Sequence, residues 1–117
     1  MKIWIIAGAT FLALAIVLGA FGSHIIKSKV SPEDLAIFET GVRYQTYHAL
    51  GLILIGLIGF HVHQNVIVIP ALMITAGIII FSGSLYILVL SEVRWLGSVT
   101  PIGGLSFIAG GVLLAVN

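Results

Sequence analysis

The chain reads as an all-α integral membrane protein, a four-helix transmembrane bundle. Four apolar stretches, Ile3–Phe21, Ala49–Phe60, Val66–Leu90 and Pro101–Val116, occupy most of its 117 residues. Hydrophobic residues make up 60% of the chain and charged residues 8%, and the mean hydropathy is +1.24. A hydrocarbon core about 30 Å thick takes about 20 mostly apolar residues in a helix. The first and third stretches meet that length. The second meets it if its helix starts upstream, and the fourth is short. This composition excludes a soluble globular domain. It leaves one domain over residues 1–117, with helices expected over 3–22, 32–60, 66–90 and 101–116.

The first helix carries Gly8, Leu12, Ala15, Gly19 and Gly22 at spacings of three and four. In lipid, apolar burial does not drive helices together, whereas small residues let backbones approach. This stripe therefore predicts a packing seam, with Trp4 placed as an interfacial anchor. Lys2 before an apolar run, with small residues before Ser23, resembles a signal peptide. The run is long for that role, and a retained helix is expected.

Ser31-Pro-Glu-Asp34 opens the second helix: Ser31 caps it, Pro32 suits its first position and Asp34 approximates a capping box. Periodicity runs from there to Phe60, about 43 Å, so the first half is expected outside the core or at its edge. Leu35, Phe38, Val42, Thr46, Ala49 and Ile53 form its apolar face. Glu39, Thr40, Arg43, Tyr44, Tyr47 and His48 fall on the other half of the wheel. His61 to Asn65 make a polar turn into the third helix, which has Pro70 in its early turns and Thr75, Ile79, Ser82 and Tyr86 on one face. Trp95 is a second interfacial aromatic, and Thr100-Pro101 repeats the cap-plus-proline start. The fourth helix, with Gly103, Ser106 and Gly110 on one face, spans only about 24 Å.

Lys27, Lys29, Arg43 and Arg94 lie on the side of the first and third connectors, against Lys2 on the other. The excess places those connectors in the cytoplasm and both termini outside. A net charge of +1 gives no phosphate-binding surface and excludes a nucleic-acid partner. Without cysteine there is no disulfide, thiolate nucleophile or thiolate metal site.

The second helix holds the most informative polar cluster. Glu39 and Arg43 are four apart, in register for an ion pair, as are Tyr44 and His48, with Tyr47 between them. Charges at membrane depth are costly unless paired and mark candidate sites. An interfacial helix start accounts for the same residues without any site. His24, in the first connector, could approach the cluster, but no HxxxH or ExxH spacing supports a metal. Ser82 and Ser84 have no adjacent base, and a buried membrane serine usually bonds a carbonyl one turn back. Gly103 and Gly104 could expose helix-start N–H groups to an anion, although packing is their ordinary role.

Four blocks, Gly19–Lys27 (GAFGSHIIK), Phe38–Leu50 (FETGVRYQTYHAL), Phe81–Tyr86 (FSGSLY) and Thr100–Gly104 (TPIGG), resemble the signature segments of the YwdK/YgdD-like family of small membrane proteins of unknown function. That family has animal relatives among small transmembrane proteins. Ser23 replaces an alanine of the first block, and Gly110-Gly111 stands where the family often has tryptophan. The resemblance implies four helices in the bacterial cytoplasmic membrane and no known activity. It adds weight to His24, Glu39, Arg43, Tyr44, Tyr47, His48, Ser82, Tyr86 and Thr100.

The expected function is non-enzymatic binding of a small molecule, lipid headgroup or ion, without cofactor or metal, in the lipid bilayer and as a homo-oligomer. The site would lie where the polar face of the second helix meets the other three. Arg43 would take an anion, Glu39 would orient it, and His24, Tyr44 and His48 would complete the bonding. A small transporter or proton conductor, and a scaffold for another membrane protein, are the alternatives. Few mid-span polar side chains argue against a wide pore, and no nucleophile–base spacing points to an enzyme.

Overall fold

Ser31 starts the longest uninterrupted α-helix of the chain: its hydroxyl accepts from the Asp34 backbone N–H at 3.1 Å, and Pro32 takes the first turn, where no N–H is needed. The computed structural model describes residues 2–116, and among them every long element is a helix. We number them α1 (Lys2–Ile26), α2 (Pro32–Ile58), α3 (Gln64–Ser91) and α4 (Thr100–Val116). A 3₁₀ turn at Arg94–Ser98 leads into α4. Two helices widen locally into π turns, α1 at Val17–Gly22 and α3 at Ile78–Ser82. The helix ends differ from expectation by a few residues, most at α1, which runs on to Ile26.

Three segments, Lys2–Ile26, Gln64–Ser91 and Arg94–Val116, are long and apolar enough to cross a membrane. Thus the fourth helix gains a crossing length from the turn before it. The helix α2 is not among the three, because Glu33, Asp34, Glu39 and Arg43 fall in its first half.

Successive helices run in alternating directions, so two apolar cores form at opposite ends. One gathers Leu52, Ile55, Ile67, Ala71, Ile74, Ile78 and Phe107, with Trp4 and Leu114 against it. The other gathers Ile26, Phe38, Leu88 and Val89, with Leu18 and Leu96. Trp4 is half-buried against the first core, and its indole N–H has no acceptor among the described residues. Trp95 is 67% exposed.

Small residues set the helix spacing. A β-carbon on Gly8 would meet the Ala49 carbonyl oxygen at 2.7 Å, so α1 and α2 touch backbone to backbone there. On the α3–α4 seam, a β-carbon at Gly103 would lie 2.5 Å from the Phe81 nitrogen. Ser106 adds a bond to the Met73 carbonyl at 2.6 Å. Both seams lie on the glycine faces expected from spacing, and Gly103 serves packing rather than an anion.

The buried face of α2 is rotated from the expected one. It runs through Asp34, Phe38, Gly41, Gln45, Ala49, Leu52, Ile55 and Gly56, whereas Leu35, Val42, Thr46 and Ile53 flank it, half-buried. The face turns because Gly41 admits the Tyr86 ring and Gln45 finds two partners inside the bundle.

Candidate functional site

The nine expected site residues do not converge on one place. His24 and Glu39 line a groove at the α1 end with Lys27 and Ser23, whose buried hydroxyl has no partner among the described residues. Arg43, Tyr44 and Tyr47 point outward from α2, and His48 is half-buried at its edge. Ser82 and Tyr86 point into the bundle. Thr100 bonds the Ser84 hydroxyl at 2.6 Å and joins the α4 start to α3.

The expected Glu39–Arg43 ion pair is not formed. Arg43 donates from Nη2 to the Thr40 hydroxyl at 3.1 Å, one turn back toward the α2 start. Glu39 faces the His24 groove instead. The guanidinium has four further N–H groups and no acidic partner among the described residues.

Below Arg43 lies an aromatic surface. The His48 ring stacks on Phe107 with centroids 3.5 Å apart and planes 7° apart. Tyr44 stacks on Phe81 at 4.6 Å, and Phe81 tilts against Phe107 at 5.6 Å. His48 Nδ1 lies 2.8 Å from the Tyr44 carbonyl. A carbonyl can only accept, so Nδ1 carries the proton, and Nε2 is the acceptor of the neutral ring. With Gly104 and Ile108, these rings line an outward groove between α2 and α4.

Two polar centres are built around residues outside the expected set, the first joining the expected Ser82 and Tyr86 to Gln45. Gln45, 3% exposed, donates from Nε2 to the Phe11 carbonyl at 2.7 Å and accepts the Tyr86 hydroxyl on Oε1 at 2.7 Å. Ser82 donates to the Gly41 carbonyl at 2.7 Å, across to α2 instead of one turn back. Together they tie α1, α2 and α3 at mid-depth. The sequence signal was an amide inside a stripe of Gly41, Gln45 and Ala49 at fourfold spacing, on the face that proved to be buried.

The second centre is the ion pair between Asp34 and Arg94. The guanidinium donates twice to the carboxylate, at 2.9 and 2.8 Å. Asp34 therefore does more than help cap a helix. Its carboxylate ties the α2 start to the α3–α4 connector, and hydrogen bonding by Arg94 holds its carboxyl below the usual aspartate range. Burial works the other way and is outweighed. No spacing rule joins residues sixty apart, so this partner was not readable from the sequence. Among the described residues no group of three acidic or histidine side chains could hold a metal.

A family described as a protein of unknown function, DUF423, matches residues 18–104, which includes Asp34, Arg94, Gln45, Ser82 and Tyr86 of the two polar centres. The chain belongs to the DUF423 family. A UPF0382 membrane protein of Staphylococcus haemolyticus is 45% identical over 117 residues, covering 100% of this chain and 95% of the relative. One from Staphylococcus saprophyticus is 44% identical over 117 residues, with 100% and 97% covered. YwdK of Bacillus subtilis, also named a UPF0382 membrane protein, is 39% identical over 117 residues, with 99% and 95% covered. No solved structure matches this DUF423 chain.

Proposed function

We propose that this DUF423 protein is a non-enzymatic, four-span protein of the bacterial cytoplasmic membrane that binds the headgroup of an anionic lipid at Arg43. The observation that carries the reading is the outward guanidinium, held among the described residues by Thr40 on its own helix. From Arg43 to Ile58 the helix rises about 22 Å. A core of about 30 Å then ends about one and a half turns beyond Arg43 toward Pro32. An arginine side chain spans that distance, and the bond to Thr40 aims it that way. On this reading α2 crosses the membrane, with its first turns at the headgroup level.

A planar cation at this depth favours phosphate oxygens, which accept two parallel N–H bonds. The aromatic groove, with Tyr44 on its wall, gives an acyl chain a surface beside the headgroup. The excess of Lys27, Lys29 and Arg94 near the same end supports a cytoplasmic placement, with both termini outside.

The test is thermal unfolding of the purified protein in nanodiscs of phosphatidylcholine with and without phosphatidylglycerol. The wild type is expected to gain stability with phosphatidylglycerol, and Arg43→Gln to lose most of that gain. Glycerol phosphate in solution separates a lipid site from a plain anion site. An equal gain in both proteins would refute the reading.

A further inference from the structure

A groove at the Ile26 end of α1 sets opposite charges on facing walls. His24 and Lys27, three apart at the close of α1, stand on one side, and Glu39 of α2 stands on the other. Gly19 and Ala20 keep the α1 side low, which leaves an open trough of about 280 Å³. The two signs do not pair across it. Among the described residues the ion pairs are those of Arg94 with Asp34 and Glu92, so neither Lys27 nor His24 holds the Glu39 carboxylate.

The groove lies at the membrane surface. The helix α1 starts at Lys2 and is one of the three segments long and apolar enough to cross. A core of about 30 Å takes about 20 residues, which brings its far edge near Ser23. The charged walls thus sit just past the hydrocarbon, among lipid headgroups, whatever the partner of Arg43.

We propose that this groove binds a zwitterion made of a phosphate and a primary ammonium, the phosphoethanolamine head of a membrane lipid. A lone anion is repelled by Glu39 and a lone cation by Lys27, whereas a zwitterion satisfies both walls. Lys27 and His24 meet the phosphate. Glu39 takes the ammonium, whose three N–H groups donate to a carboxylate. A quaternary ammonium has no N–H and is recognised by aromatic cages. No Phe, Tyr or Trp is among the described residues that line the groove, so it selects ethanolamine over choline.

The experiment measures thermal midpoints in nanodiscs of phosphatidylcholine with and without phosphatidylethanolamine. In the wild type the ethanolamine lipid is expected to raise the midpoint. Lys27 and Glu39 are exposed, so Lys27→Gln and Glu39→Gln should each fold and lose most of that rise. Ala20→Leu, which fills the groove from an exposed position, should lose it too. Arg43→Gln should keep it, so this site and the anionic-headgroup reading fail separately. Soluble phosphoethanolamine, added to phosphatidylcholine nanodiscs, distinguishes the free solute from the lipid and should give only a small part of the rise. A wild type indifferent to the ethanolamine lipid would overturn the proposal. So would a rise that persists in either charge variant, or a solute effect equal to that of the lipid.

Discussion

A single amide, Gln45, holds three helices together in surroundings where water does not compete. Its bonds to the Phe11 carbonyl and the Tyr86 hydroxyl span α1, α2 and α3. Interhelical bonds of this kind contribute about 1 kcal/mol each. Gln45→Leu should therefore lower stability by about 1–2 kcal/mol by leaving Tyr86 unpaired. Adding Tyr86→Phe should cost less than its own single effect, because both ends of the bond are then gone. Unfolding of the four proteins of this cycle measures the coupling, and simple additivity would count against it. Glycines make a sharper contrast. Gly103→Ala places a methyl group against the Phe81 backbone and should cost about 1–3 kcal/mol, whereas Gly83→Ala, in open space, should be neutral or stabilising. Thermal midpoints of the two variants decide. The glycine seams were legible because spacing alone puts small residues on one face. Gln45 was passed over because it sits among the polar residues Arg43 to His48, where only its place in the Gly41, Gln45 and Ala49 stripe separates an inward amide from its outward neighbours.

Among the elements, α2 departs most from a simple span. Its start is tied to the α3–α4 connector through Asp34 and Arg94. Because Arg94 lowers the Asp34 carboxyl relative to the unfolded chain, the stabilisation is complete above the ordinary aspartate range. It fades as pH falls through the lowered folded value. Wild type should therefore lose stability relative to Asp34→Asn as pH drops below about 4. Parallel midpoint curves for the two proteins from neutral pH downward would disprove the linkage. The cap at Ser31 and Pro32 was readable from local sequence, whereas this pair was not, since it is made by tertiary folding. The π turns of α1 and α3 were equally silent. A one-residue widening shifts the phase of the sides, and in a helix apolar all round the shift leaves no trace in the pattern.

The whole molecule combines an apolar exterior with internal polar ties. Ile6, Leu14, Leu54, Leu105 and Ile108 are all exposed and suited to lipid, and four helices were legible once the cap at Ser31 and the helical periodicity were read together with the hydropathy. The assembly of the candidate site was not, because nine residues chosen by type and motif spread over the His24 groove, the outer α2 face, the bundle interior and the α4 start. The proposed orientation is accessible to labelling, since the chain has no cysteine. Ser28→Cys, in the exposed first connector, should react with a membrane-impermeant maleimide in inverted vesicles and not in intact cells. The reverse pattern would invert the topology.

The account turns on where the Arg43 guanidinium goes, and magnetic resonance can read that directly. In bilayers containing phosphatidylglycerol, dephasing of the arginine Cζ carbon by lipid phosphorus reports their separation. A bidentate guanidinium–phosphate contact holds the two about 4–5 Å apart. The wild type should show that dephasing, and most of it should vanish in Arg43→Gln, whose remaining arginine is engaged by Asp34. Dephasing that is absent in the wild type, or unchanged by the substitution, would contradict a headgroup site on α2.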